Sequence, residues 1–502
     1  MDFDVAIIGS GVGGGCVALS LADSGARIVI LERGERLPRE AQNWDPEAVF
    51  AEGRYRTMET WYDAAGSPFR PGQFYYVGGH TKVYGTAMFR FRERDFDGIE
   101  HAEGATVPWP IRYADLEPWY AQAERVFGVH GKAGEDPTEP ARSGPFPHPP
   151  IPHEPIIGEV FERMRACGLH PAHMPAAIDF HPGGICIRCG TCDGFPCRIG
   201  AKGDAETRLI DPSLKHPNVK LYTGSLVTRL LTDERGKRIV AAQIERGGDK
   251  LTVRARLFVL SAGAINSAAL LLRSADSKHP YGIANSSGIV GRYYMNHNCT
   301  AIMALAPWRS NRTRFPKTLT LNDYYFGGDA SDRPLGNLQL LGKIEEPMLR
   351  TALPKAPKFA RAWLARHSVD WYVMSEDLAQ KESQVALRGG GAIQLSWKRS
   401  NLNAHRRWVE VAKKLLKDIG FAVVLSKPFD ADTPSHQCGT ARFGADPATS
   451  VLDPHCRSWD HDNLYVVDAS FFPSSAALNP ALTVAAQALR VGAHLKSRLD
   501  QF

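Results

Sequence analysis

A chain of 502 residues is longer than one hydrophobic core supports, so two lobes are expected. With 43% hydrophobic and 23% charged residues it has the composition of an ordinary soluble globular protein; its 46 glycines and 34 prolines predict tight turns and long loops rather than disorder. The formal charge of +6 is small, and Lys and Arg are spread along the chain, which argues against a nucleic-acid partner.

In chain order, residues 4–8 form a short apolar run, followed by a glycine turn, a helical pattern over 13–24 and a second strand over 27–31 ending at Glu32. The apolar stretch 5–22 reads neither as a signal peptide nor as a membrane span. Asp2 and Asp4 precede it where a signal carries positive charge, and glycine crowds it. The expected location is therefore cytoplasmic, with export as a passenger of a partner subunit left open. Residues 35–180 look irregular apart from one helix over 113–126, and 136–155 holds eight prolines in an extended surface loop. Alternating strands are expected over 219–232 and 239–246. A strand over 251–262 then runs into a helix ending at Arg273. Further strands are expected near 300–306, 336–343, 371–375 and 392–398, and a helix over 404–419. A strand over 464–467 and a helix over 480–499 close the chain.

Gly9, Gly11 and Gly14 lie between the first strand and its helix, and Glu32 closes the next strand. Glycine there permits a tight turn, close approach of a pyrophosphate to backbone N–H groups, and helix–strand packing; the helix N-terminus adds partial positive charge. Glu32 is placed to hold the ribose hydroxyls of an adenosine. This motif does not separate NAD from FAD. Four of the nine cysteines, Cys186, Cys189, Cys192 and Cys197, form a dense run close to the bacterial ferredoxin pattern, with one extra residue before the last. An iron–sulfur cluster is the first reading; disulfides or free thiols, and a zinc site, remain open beside it.

Several blocks resemble the glucose–methanol–choline (GMC) oxidoreductases. They are Tyr76-Val-Gly78-Gly79 through Gly85, Trp109–Tyr120, Leu260–Ser267 and Val290–His297. The most specific is the C-terminal set of His436–Thr440, Asn463–Ser470 and Asn479–Thr483, which is similar to pyranose oxidase-like and bacterial FAD sugar dehydrogenase members. The resemblance implies an α/β fold: a Rossmann-type FAD-binding domain (1–50, 180–300 and 430–502), flavin-covering loops and a lid (51–179), and a substrate-binding domain on a mostly antiparallel sheet (300–430). It implies FAD as cofactor, with Gly78 and Gly79 against the isoalloxazine, Val227 near the adenine and Asp468 near the ribityl or pyrophosphate. Val227 could equally be core, and Asp468 a turn aspartate. Some relatives attach FAD through a histidine four residues after the second loop glycine; Val83 stands there, so dissociable FAD is expected.

His436 and Asn479 take the positions of the family's catalytic pair. Removing a hydroxyl proton while hydride passes to flavin N5 needs a base titrating near neutrality, which histidine supplies, and a carboxamide can orient the same hydroxyl. The expected activity is oxidation of a CH–OH group of a sugar, glycoside or polyol. The alternative is an FAD-containing lyase or an electron-transfer subunit without alcohol oxidation. In multi-subunit sugar dehydrogenases of this kind, an iron–sulfur cluster passes electrons to a cytochrome partner, so an electron-acceptor subunit is the implied protein partner. Residues 355–366 are basic and amphipathic, as in a lid helix, an acceptor-docking face, a membrane-surface contact or a solvated helix.

Overall fold

A computed structural model describes residues 2–433 and 436–502. The N-terminal apolar run becomes strand Asp2–Ile8, flanked by parallel strands Ile28–Leu31 and Asp249–Leu260. All four residues of Ile28–Leu31 are buried, as expected of a parallel strand covered on both faces. Across the sheet the order is Val219–Tyr222, Ile28–Leu31, Asp2–Ile8, Asp249–Leu260, Ile239–Arg246 and Ser225–Thr232; Leu464–Val466 also pairs with Asp249–Leu260. Helix Val12–Leu21 leaves the first strand and packs on the C-terminal helix Ala481–Lys496.

The long strand Asp249–Leu260 changes character along its length. Its first half is mostly exposed and pairs antiparallel with Ile239–Arg246, whereas Leu257–Leu260 is fully buried among parallel neighbours. Residues 219–232, expected as one strand, are two. Gly224 has a positive φ of 57° and turns the chain, so Val219–Tyr222 extends the parallel sheet and Ser225–Thr232 forms the antiparallel edge.

The second sheet is antiparallel throughout, in the order Val423–Pro428, Asn298–Leu305, Ser368–Ser375, Asn337–Leu340, Leu319–Leu321 and Pro171–His173. Its side chains alternate between two environments, as the pleat requires. Ile302, Ala304, Leu338, Trp371 and Val373 pack against Trp408 of helix Leu402–Asp418 and against Phe161 and Met164 of helix Pro155–Ala166. Ala301, Met303 and Tyr372 point the other way, into a cavity.

Two further features depart from the sequence reading. Helix Pro155–Ala166 was not expected; it starts where the proline-rich stretch ends, with Pro155 in the first turn, where its fixed φ suits a helix and its missing N–H costs nothing. Strand Ile393–Ser396 does not join the six-stranded sheet; it pairs with Gln384–Leu387 and, at one position, with Trp61–Tyr62. Among the described residues no helix is long and apolar enough to cross a membrane.

Candidate active site

The two sheets border one cavity of about 1310 Å³. The glycine turn after the first strand lines it. Gly9 has a φ of +99°, and a Cβ there would come within 2.2 Å of the Ser261 carbonyl oxygen, so only glycine fits. A Cβ on Gly14 would meet the Gly9 carbonyl oxygen at 2.2 Å; Gly14 serves helix–strand packing and does not line the cavity. Gly11 is different: nothing lies within 4 Å of its would-be Cβ, and it faces the cavity. Gly11 offers helix Val12–Leu21 no side-chain cap; Gly14 N donates to Ser261 Oγ (2.8 Å), and the amides before it and the positive end of the dipole are directed toward this space.

The second glycine loop closes on the first. Gly78, with φ +95°, turns the chain, and a Cβ on Gly79 would stand 3.2 Å from Gly11 Cα. Glu32 lines the cavity, where its carboxylate accepts from Ser10 N (3.0 Å), Ser10 Oγ (2.6 Å) and Gly34 N (2.8 Å). Burial raises its pKa against the effect of these bonds. Val227 is buried and on the cavity wall. Asp468 also lines the cavity and at the same time caps a short turn, accepting from Gly263 N (3.0 Å), Ser470 N (2.9 Å) and the Ser267 hydroxyl. Two glycine loops, a helix N-terminus and a buried acid fit the adenine and pyrophosphate half of FAD.

His436 and Asn479, 43 residues apart, meet on the cavity wall, with Asn479 Nδ2 3.3 Å from His436 Nε2. On its other side His436 Nδ1 lies 2.8 Å from Nδ1 of His297, whose Nε2 is 3.0 Å from the Ser475 carbonyl oxygen. Asn479 Oδ1 accepts from Gln339 Nε2 at 2.9 Å. Loss of solvation lowers the His436 pKa well below the usual histidine value, and the nearby His297 and Lys317 push the same way. Lys317 is paired with half-buried Asp193 (2.8 Å), which also accepts from Gly342 N (2.9 Å). The pair leaves no room for a side chain at Gly85, where a Cβ would come within 2.2 Å of both charged atoms. His297, Gln339, Lys317 and Asp193 were not singled out from sequence. His297 ends a quoted family block, but nothing local marks the other three.

Asp193 belongs to the cysteine-rich loop. Gly194 N donates to Val83 O (2.9 Å), and Lys202 Nζ donates to the carbonyls of Tyr84 (2.8 Å), Cys192 (2.9 Å) and Phe195 (2.8 Å), tying that loop to the second glycine loop. Cys186, Cys189, Cys192 and Cys197 are free thiols; burial is the main cause that raises the Cys186 pKa and pushes Cys192 up to about 12. Among the described residues no group of three or more His, Cys, Asp or Glu side chains converges as metal ligands. As folded, the four thiols do not fit an iron–sulfur or zinc site. The basic stretch forms helix Lys358–His367, with Phe359 and Trp363 exposed on it.

Two family models, each described as GMC oxidoreductase, match residues 72–299 and 391–488. The chain belongs to this family. Among its relatives are paromamine 6'-oxidase of Streptomyces fradiae, 32% identical over 97% of this chain and 90% of that protein, and the fructose dehydrogenase large subunit of Gluconobacter japonicus, 25% identical over 99% and 98%. Pyridoxine 4-oxidase from Mesorbium loti shares the fold with a TM-score of 0.70, 19% identity and 98% coverage of both chains. This GMC oxidoreductase therefore joins a Rossmann-type FAD-binding part to a substrate part on an antiparallel sheet, and is an FAD-dependent enzyme of a family acting on alcohol CH–OH groups.

Proposed function

We propose that this enzyme oxidises a secondary or primary carbinol of a sugar, glycoside or polyol, with His436 as general base. The observation that carries this reading is the juxtaposition of His436 Nε2 and Asn479 Nδ2, 3.3 Å apart, on the wall of a cavity that both glycine loops also line. Bound FAD would supply the hydride acceptor. His436, held neutral, takes the hydroxyl proton at Nε2. Asn479 orients the hydroxyl oxygen without competing for that proton. Met303, Tyr372 and Ala301 of the antiparallel sheet form the apolar wall against which a substrate would lie. The 32% identity to a paromamine oxidase supports a glycoside over a simple alcohol.

FAD is read as dissociable, because Val83 on the cavity wall has no nucleophilic atom. In this reading residues 1–50, 180–300 and 430–502 bind FAD, 51–179 cover it, and 300–430 bind substrate. The iron–sulfur reading of the cysteine loop has only the cysteine spacing behind it, and iron and zinc analysis of the holoenzyme decides it. The activity is tested by anaerobic titration with a panel of sugars, glycosides and polyols, scored by bleaching of the flavin. Bleaching by at least one member supports the reading. No bleaching across the panel would sink it in favour of FAD as a scaffold in a lyase, or of an electron-transfer subunit.

A further inference from the structure

We propose that an oriented chain of hydrogen bonds, running from Asp136 of the proline-rich loop to the Ser475 carbonyl, fixes the tautomer of His436, with Gln339 and His297 as its positioning residues. The inference rests on reading His436 as the base.

The direction of each bond follows from the two ends. Asp136 is a carboxylate paired with Arg92 and accepts 2.7 Å from Asn322 Nδ2, so Asn322 turns its oxygen inward. That oxygen accepts from Asn337 Nδ2 at 2.7 Å, and Asn337 Nδ2 also reaches Thr320 Oγ1 at 2.9 Å. Asn337 Oδ1 then faces Gln339, whose Nε2 lies 2.9 Å from it and 2.9 Å from Asn479 Oδ1. Gln339 thus spends both amide protons on two oxygens and leaves its own buried Oε1 without a partner among the described residues. Turned round, it would set oxygen against oxygen twice. Asn322, Asn337 and Gln339 are all buried, so water does not relax this constraint.

With its oxygen engaged, Asn479 can present only Nδ2 to His436 Nε2. At the far end the Ser475 carbonyl accepts and cannot donate, so His297 carries its proton on Nε2. Burial keeps both imidazoles neutral, each with one N–H. His297 Nδ1 is therefore an acceptor, and the proton shared at 2.8 Å belongs to His436 Nδ1. Both ends thus demand the same tautomer, Nδ1–H with the Nε2 lone pair on the cavity wall, the form a base at that position needs. When the substrate O–H breaks and N–H forms at Nε2, the imidazolium charge is spread inward along the bond to His297, beside which the buried carboxylate of Glu376 stands.

The test is ¹⁵N NMR of the histidine-labelled holoenzyme, combined with anaerobic flavin reduction of variants. The expected spectrum shows His436 as Nδ1–H and His297 as Nε2–H; His436 found as Nε2–H overturns the proposal, whatever the substrate proves to be. Gln339→Glu places an acceptor opposite Asn479 Oδ1, turns that amide and presents oxygen to His436. It should set the Asn479 end against the His297 end, so that His436 shows a mixture of Nδ1–H and Nε2–H forms, and slow reduction by about tenfold or more at near-unchanged KM. Gln339→Met, of similar volume and without polar atoms, should leave His436 mainly Nδ1–H, held by His297 alone, and slow reduction less. If both variants keep the wild-type spectrum and rate, Gln339 has no positioning role. A wild-type flavin that no alcohol bleaches would instead count against the base assignment and leave the tautomer result standing.

Discussion

His436 stands where its imidazole loses most of its hydration, and its two cationic or ionisable neighbours, His297 and Lys317, further disfavour a proton on it. The sequence calls for a base titrating near neutrality; loss of solvation instead places His436 below it, so that it is deprotonated throughout the physiological range. kcat/KM should accordingly stay level as pH falls from 8 to 6.5 and drop only below that, because the folded value lies under the usual histidine figure; a steep loss centred near 6.5 would contradict the assignment. His436→Ala should slow anaerobic flavin reduction by about 10²–10⁴-fold while the FAD content per chain stays as in the wild type. Asn479→Asp replaces the donor facing His436 with an acceptor or a charge, and should slow the same step by at least about tenfold.

At the scale of elements, the antiparallel sheet separates stability from specificity by its pleat. Trp371 is fully buried among Trp408 and the aliphatic residues of the helix-covered face, while its neighbour Tyr372 lines the cavity. Trp371→Ala should cost about 3–5 kcal/mol in chemical denaturation, since a large void opens where the helices cannot collapse. Met303→Ala, on the opposite face, should shift KM across the sugar panel more than it shifts the denaturation midpoint. Equal effects of the two changes on stability would refute this division. The glycine turns make a similar separation within a single motif: Gly9 and Gly14 are excluded from any side chain by protein backbone, but Gly11 faces open space. Gly11→Ala should therefore leave the apo fold intact and weaken FAD retention, as read by flavin released on gel filtration.

For the whole molecule, the cavity is bordered by both sheets and by the cysteine-rich loop, so a ligand filling it joins segments far apart in sequence. FAD that binds the folded chain and not the unfolded one should raise stability by about 2.7 kcal/mol at a hundredfold excess over Kd, visible as a concentration-dependent Tm. Acid or urea should release all the flavin into the supernatant of precipitated protein; flavin retained on the chain would disprove dissociable binding.

The strand–turn–helix–strand opening and its acid were legible in the sequence because each of their signals lies within a few residues: an apolar run, glycines where backbone must approach backbone, and a 3.6-residue period. The C-terminal block was legible through its resemblance to a family, which brought forward His436 and Asn479. Pairing was not legible. Gly224 splits what alternation presents as one strand, and the two halves join neighbours on opposite edges of the sheet. Ile393–Ser396 has the pattern of a strand in the second lobe, yet it finds its partners elsewhere. The orientation of Asn479 depends on a carboxylate at position 136 acting through Asn322, Asn337 and Gln339, which no local pattern links. Sequence by itself determined the elements and the residue types the chemistry needs, because propensity and periodicity are local. Tertiary structure alone decided which donor faces which acceptor, because a hydrogen bond depends on distance and angle between groups that the chain brings together only by folding.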